Sequence, residues 1–252
     1  MMTALLFVTA LGASEAMQQA FENANTAYQA EQFQDAARQY QEIVNAGVAD
    51  PVVFYNLGNA RFRMGELGPA VANYERALQL APRMRGARDN LRYAIAATSN
   101  RLARPLRDSW REALLFWDDS LTLTETRWGG IVLWVAFWAV LLARYLRRDK
   151  RLTYAAVLLF LAAAALITST YAKQFPMQLA VASGDSVAVR TGTSDDDTLR
   201  FELKPGDRVR VQDTRPGWLQ VSTVNGDRGW AREEGLILVG PPYTAPRAPE
   251  TP

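Results

Sequence analysis

The sequence predicts a multidomain protein made of an all-α helical-repeat solenoid, a transmembrane helical hairpin and a small all-β barrel, in that order. Three observations support this fold class. A 34-residue period runs through the first hundred residues, two long uncharged apolar runs lie between residues 128 and 173, and short β-type runs alternate with turn residues from 178 to 240. A chain of 252 residues is long enough for two small soluble domains and a membrane anchor.

The first sixteen residues have the composition of a secretory signal peptide. The run from Met1 to Ala13 is short and apolar, and the small residues Ala13 and Ala16 are candidate cleavage points. The segment lacks the usual basic residue before the apolar run, so the alternative is an apolar helix end that packs on the repeats. We predict a signal peptide over residues 1–16.

The 34-residue period defines the predicted helical domain over residues 17–104, including a capping helix at its end. Aromatic residues recur at Tyr28 and Phe62 and again at Tyr40 and Tyr74. The copy at residues 51–84 has small residues where two helices must approach closely, and Pro82 where its second helix should end. These features resemble tetratricopeptide repeats, which implies pairs of antiparallel helices with a concave peptide-binding face.

The resemblance places the candidate peptide-binding residues on the first helix of each pair. They are Asn25, Tyr28, Tyr55, Asn56, Asn59, Phe62 and Arg63. The 31-residue spacing of Asn25 and Asn56 also resembles the repeats that clamp a peptide's terminal carboxylate. Phe21 stands where that clamp needs Lys, so an ordinary peptide groove or a pure scaffold is the favoured interpretation.

The apolar runs predict two transmembrane helices over residues 128–173, preceded by a juxtamembrane linker over 105–127. Aromatic residues border both runs, and the second run has 21 uncharged residues between Arg151 and Lys173. The basic loop 147–151 should be cytoplasmic by the positive-inside rule, so both soluble domains would be periplasmic. The basic residues between 101 and 111 favour the opposite orientation, which would make the protein a cytoplasmic adaptor.

Residues 178–240 predict a small β domain of about five strands, followed by a Pro-rich tail, 241–252, that we expect to be disordered. Asn225-Gly226 predicts a tight hairpin turn. The order of the Lys204-Pro205-Gly206-Asp207 turn and the two Gly-Trp pairs resembles bacterial SH3 domains. The resemblance implies a ligand groove near Trp218 and Trp230, with core or hairpin anchors as the favoured alternative.

Composition argues against catalysis. The chain has no Cys and no His, which excludes thiolate nucleophiles, Ser-His-Asp triads and ordinary zinc sites. The acidic pairs Asp118-Asp119 and Glu233-Glu234 are adjacent only, and the run Asp195–Asp197 has the pattern of a solvated loop. We therefore expect no enzyme activity, no cofactor and no metal. A formal net charge of +2 does not favour nucleic-acid binding.

The domain order resembles the BatE-type aerotolerance proteins over nearly the whole chain. That resemblance implies an inner-membrane scaffold in a complex with von Willebrand A-domain proteins and a MoxR-type AAA+ ATPase, with a role in aerotolerance or envelope stress. The alternative is cell-wall binding, with peptidoglycan as the partner of the SH3-like domain.

Overall fold

A computed structural model describes residues 2–98, 121–174 and 178–239, with side chains from residue 15 onward. The chain forms two compact units. The helical region and the β domain together make one unit, and residues 106–176 make the other. Most of the predicted linker, the basic residues 101–111 and the predicted disordered tail lie outside the described residues.

The described part of the helical region contains five helices, which form two helical pairs and a capping helix. They are α1 (Met2–Gln29), α2 (Phe33–Asn45), α3 (Pro51–Arg63), α4 (Leu67–Leu80) and α5 (Arg85–Ala97). The start of α3 is determined locally, because Asp50 Oδ1 accepts hydrogen bonds from the backbone amides of Val52 (2.7 Å) and Val53 (3.2 Å). Pro51 occupies the first helical position, where its missing amide hydrogen costs nothing. The predicted signal segment is the first part of the continuous helix α1.

Large side chains from successive helices fill the repeat core. Tyr40, Phe54, Leu57 and Tyr74 are fully buried. A Cβ at Gly58 would lie 2.7 Å from the ring of Tyr74, so only glycine allows α3 and α4 to pack this closely. The close contact between the two helices therefore explains why the repeat pattern has a small residue at Gly58.

Seven antiparallel strands form the β domain, rather than the roughly five expected. They are β1 (Leu179–Ala182), β2 (Val187–Arg190), β3 (Leu199–Leu203), β4 (Arg208–Arg215), β5 (Trp218–Ser222), β6 (Arg228–Arg232) and β7 (Leu236–Val239), with one 3-10 turn at Glu233–Gly235. The strand order is β3-β2-β6-β5-β4-β1-β7. No ladder joins β3 to β7 within the described residues, so the sheet is open and the predicted barrel is not confirmed.

The β5–β6 connection is a hairpin at Asn225-Gly226, but its loop is longer than the two-residue turn that this dipeptide predicts. Thr223 donates its amide hydrogen to Asp227 O (3.0 Å), and Thr223 O accepts from Gly226 N (3.1 Å). Gly226 has a φ of +88°, whereas Asn225 does not adopt a positive φ. A four-residue turn over 223–226 that ends in a single left-handed glycine is typical of a longer hairpin loop.

The helical region and the β domain share a hydrophobic core. Val71 and Ala72 on α4 pack with Leu179 and Val181 on β1 and with Val239 on β7. Helix α4 also covers the open edge of β7, where the side chains of Arg76 and Gln79 donate to the carbonyl oxygens of Leu238 (3.0 Å) and Val239 (3.4 Å). Side chains of α4 thus donate hydrogen bonds to the edge carbonyl groups of β7. In a closed barrel a neighbouring strand would donate these hydrogen bonds.

A buried ion pair lies within this shared core. Arg208 Nη1 at the start of β4 lies 2.9 Å from Glu75 Oε1 on α4, and the two side chains are only 9% and 3% exposed. Gly68 touches β1 so closely that an added Cβ would lie 2.3 Å from Ala182 O. The two soluble domains therefore form one packed unit, which no sequence pattern predicted.

The second unit is an antiparallel helical hairpin, α6 (Leu123–Arg147) and α7 (Arg151–Gln174). A capping box between Thr122 and Glu125 starts α6 inside the segment predicted as linker. Arg148 ends α6 in the left-handed region, with a φ of 53°. At the open end of the hairpin, Lys173 Nζ donates to Leu121 O (2.7 Å).

The outer surfaces of both hairpin helices are apolar and exposed. Val135 on α6 is 63% exposed, and Leu158 on α7 is 70% exposed. The helices are 25 and 24 residues long, a length that permits a membrane span. Exposed aromatic residues stand near the helix ends, at Trp128, Tyr145, Tyr154 and Tyr171. Such exposure of large apolar side chains is typical of a lipid-facing surface rather than of soluble core helices.

Candidate peptide-binding site

A hydrogen-bonded triad of side chains links the first helical pair to the second. Tyr40 on α2 donates its hydroxyl proton to Asn25 Oδ1 on α1 (2.5 Å). The same oxygen accepts from Asn56 Nδ2 on α3 (3.2 Å). Asn25 thus accepts two hydrogen bonds, one from its own helical pair and one from the next.

The same triad recurs one repeat later. Tyr74 on α4 donates to Asn59 Oδ1 on α3 (2.9 Å), and Asn90 Nδ2 on α5 donates to the same oxygen (2.7 Å). Every member lies 34 residues after its counterpart in the first triad. The capping helix α5 is therefore joined to the second pair by the same polar contact that joins the two pairs.

Burial keeps the two tyrosine hydroxyls in their neutral, donating form. Removal from water raises the pKa of Tyr40 to about 12, although its contact with Asn56 acts in the opposite direction. Burial likewise raises the pKa of Tyr74. Both triads therefore remain intact across the physiological pH range.

The four asparagines form a continuous polar row across α1, α3 and α5. Asn25 contacts Asn56, Asn56 and Asn59 are one helical turn apart on α3, and Asn59 contacts Asn90. Within the described residues, Asn25 and Asn59 keep their Nδ2 donors uncommitted, and Asn56 and Asn90 keep their Oδ1 acceptors uncommitted. All four side chains are partly exposed. Donors and acceptors along such a row match the main chain of an extended peptide.

The hydrogen bond between Asn25 and Asn56 explains their spacing without the carboxylate clamp that this spacing resembles. Their contact links repeats, so their 31-residue spacing has a structural explanation independent of any ligand. The same spacing separates Asn59 and Asn90.

The predicted aromatic residues divide between core and groove. Tyr55 lies 6.2 Å, centroid to centroid, from the ring of Tyr74, and its hydroxyl accepts from Asn90 Nδ2 (3.3 Å). Phe62 packs against the core shared with the β domain. Tyr55 therefore borders the asparagine row, whereas Phe62 mainly supports the fold.

Tyr28 and Arg63 both contact Phe33 at the turn between α1 and α2. The ring of Tyr28 lies 5.3 Å from that of Phe33, and the guanidinium of Arg63 lies 4.2 Å above the same Phe33 ring. Arg63 also approaches Glu31 (3.9 Å). The structure thus brings Asn25, Asn56, Asn59 and Tyr55 together, with Tyr28 one helical turn from Asn25 and Arg63 one turn from Asn59.

Sequence reasoning missed two residues of this surface, Asn90 and Tyr93. Asn90 completes the second triad, and Tyr93 is 69% exposed on the same helix. Both lie 34 residues after site residues of α3, at Asn56 and Asn59. Extending the repeat period into α5 would have found them.

Trp218 and Trp230, predicted to line an SH3 ligand groove, are 5% and 6% exposed. Arg232 stacks over Trp218 at 4.6 Å, and Arg215 stacks over Trp230 at 4.5 Å. Each indole is thus covered by a guanidinium. Their role in ligand binding stays a prediction.

Two families match parts of the chain. Residues 51–84 match the family Tetratricopeptide repeat, and residues 185–236 match the family Bacterial SH3 domain. The first match covers α3 and α4, including Tyr55, Asn56 and Asn59, and the second covers β2 to β6. Among curated proteins, none matches the chain. The matches support interaction modules of two kinds, for protein segments and for the cell wall.

Proposed function

We propose that this chain is a membrane-anchored scaffold that binds protein partners through the asparagine row of its helical repeats. The observation that supports this most is the row itself, in which two identical triads hold four amide side chains partly exposed at one-repeat spacing. The scaffold needs no chemistry of its own, and we propose no catalytic role, cofactor or metal.

The proposed partners are the envelope proteins that the domain order implies. The resemblance to BatE-type proteins points to von Willebrand A-domain proteins, with a role in aerotolerance or envelope stress. The order of helical repeats, apolar hairpin and bacterial SH3 domain supports this assignment.

The proposed location is the inner membrane, with both soluble domains in the periplasm and the loop 147–151 in the cytoplasm. An even number of spans returns the chain to its starting side, and the buried pair Glu75–Arg208 supports a common side for the two domains. The basic loop supports its cytoplasmic position. Protease added to spheroplasts should then cleave tags placed after Pro252 and near Asn100. Protection of both tags would reverse the orientation.

A pull-down with paired variants tests the scaffold. Asn56→Ala and Asn90→Ala remove amide groups of the row but leave the Tyr40 and Tyr74 hydrogen bonds to Asn25 and Asn59 in place. We expect the full-length wild-type protein in detergent to recover von Willebrand A-domain proteins and the double variant to lose them. Arg38→Gln on the exposed surface of α2 is the matched control and should behave as wild type. Equal recovery by all three proteins would reject the asparagine row as the binding site.

Cell-wall binding through the SH3-like domain is the second candidate, and the match of residues 185–236 to the bacterial SH3 family favours it. The full-length protein in detergent should then sediment with purified peptidoglycan. A protein that stays in the supernatant at all concentrations would remove this candidate and leave the scaffold untouched.

A further inference from the structure

The outer face of the β sheet carries five arginines arranged in three rows across the strands. Strand pairing places Arg215, Trp218 and Arg232 in one row, Gln220, Trp230 and Arg190 in the next, and Arg210, Ser222 and Arg228 in the third. The opposite face carries Val189, Leu219, Val221 and Ala231, which are fully buried in the domain core. Because side chains alternate along a strand, the arginine rows lie on the face opposite this core, where Arg215, Arg228 and Arg232 are exposed and Arg190 and Arg210 are half-buried. Towards β1 the same face packs against α4.

Two of these guanidinium groups lie over tryptophan rings. Arg215 lies 4.5 Å above Trp230, and Arg232 lies 4.6 Å above Trp218. A guanidinium stacked in this way keeps its N–H edge available for a bidentate contact with a carboxylate. Arg232 already binds Asp195 in this manner, whereas Arg215 has no acidic partner among the described residues.

This basic face contrasts with the charge of its domain. Residues 178–240 contain eight basic and ten acidic side chains, a net charge of −2, yet five of the eight basic residues lie on this face. Two acidic residues of the paired strands lie on the same face: Asp213, opposite Gln220, and Glu202, opposite Ala188 on the edge strand β3. The three rows are thus more basic than the domain as a whole.

Acidic residues border the face at one end. Asp195 contacts Arg232, and the backbone oxygen of Asp197 accepts from Arg190 (2.8 Å). Glu233 and Glu234 directly follow Arg232 in the 3-10 turn. A broad anionic surface such as a membrane would meet this acidic border, whereas a narrow anionic segment avoids it.

We infer that the arginine face docks an extended acidic peptide segment of a partner protein. Carboxylates on alternate residues of such a segment are about 7 Å apart, a spacing that suits cations distributed over neighbouring strands. The inference rests on the proposed scaffold function and adds a second contact, distinct from the asparagine row. In this proposal the β domain binds an acidic segment of the partner, whereas the asparagine row of the repeats binds the main chain of another segment.

Fluorescence anisotropy with the full-length protein in detergent tests the inference. The probe is a fluorescein-labelled twelve-residue peptide of alternating Glu and Ser, and the same peptide with Gln in place of Glu is the neutral control. We expect the Glu peptide to bind, with an affinity that falls with added salt, and Arg215→Gln/Arg228→Gln to weaken it by about tenfold per arginine. Arg38→Gln/Arg92→Gln, which removes two charges from the helical region, should leave binding unchanged.

Further measurements separate the outcomes. Thermal unfolding verifies that the β domain of each variant remains folded, and Arg215→Lys, which keeps the charge, should bind better than Arg215→Gln. Equal binding by wild type and Arg215→Gln/Arg228→Gln would overturn the inference. So would tighter arginine-dependent binding to anionic vesicles or peptidoglycan than to the Glu peptide. A wild-type protein that ignores the peptide but still recovers envelope proteins would overturn the inference and leave the scaffold function standing.

Discussion

Replacing Glu75 by Gln should weaken the contact between the two soluble domains while leaving each of them folded. Glu75 lies on α4 and forms its ion pair with Arg208 at the start of β4, at 2.9 Å. The substitution keeps the size of the side chain and removes its charge. Arg208 then remains in a largely buried position and loses the carboxylate of Glu75.

The expected cost follows from the burial of the pair. The two side chains are 3% and 9% exposed, and loss of one partner of such a buried pair costs about 3–5 kcal/mol. The exposed pair Arg38–Glu42, whose side chains are 61% and 62% exposed, provides the control. Glu42→Gln should cost less than about 1 kcal/mol, because solvent screens that pair.

Hydrogen exchange of the full-length protein is the assay. Amides of β1 and β7, the strands that pack on α4, should exchange about a hundredfold faster or more in Glu75→Gln and at the wild-type rate in Glu42→Gln. The double variant Glu75→Leu/Arg208→Met replaces both charges by apolar groups and should recover most of the protection. Unchanged exchange of β1 and β7 in Glu75→Gln would refute the domain contact.

Three other changes test the core and the site. Gly68→Ala adds a Cβ 2.3 Å from Ala182 O and should cost about 1–3 kcal/mol in denaturant unfolding, whereas a neutral result would contradict the close approach of α4 to β1. Asn59→Ala leaves the buried Tyr74 hydroxyl without its acceptor and should cost about 1–3 kcal/mol, whereas Asn59→Asp keeps the acceptor and should cost less. Because burial raises the pKa of Tyr40 to about 12, its contribution to stability should be constant below pH 10 and be lost as the pH rises from 10 through 12. The difference in tyrosinate absorbance between wild type and Tyr40→Phe during alkaline titration measures this, and ionisation of Tyr40 near pH 10 in the folded protein would contradict it.

Much of the fold follows from local patterns. The 34-residue period predicted the paired helices, because helices that pack side by side require small and aromatic residues at fixed spacing. The uncharged runs predicted α6 and α7, and the alternation of turns and short apolar runs predicted the strands. Several ends were off by a few residues, as at α6, where the Thr122 capping box starts the helix before the apolar run begins.

The site was predicted in part. Asn25, Asn56 and Asn59 were identified from their positions on the first helices, but their role in linking repeats depends on Tyr40 and Tyr74 of the second helices. A sequence shows how residues are spaced along one helix. It does not show which hydroxyl group of a neighbouring helix lies within 3 Å of them. For the same reason the pairing of Arg215 with Trp230 was not predicted.

The sequence by itself determined the order of modules, the apolar hairpin and the repeat period, because these depend on interactions between residues close along the chain. Only the tertiary structure decided that the helical repeats and the sheet share one core. Glu75 and Arg208 are 133 residues apart, with the whole hairpin between them, and each alone has the pattern of an ordinary surface charge. Their burial arises from the packing of α4 on β1 and β7, a long-range contact between surfaces that carry no periodic signal of their own.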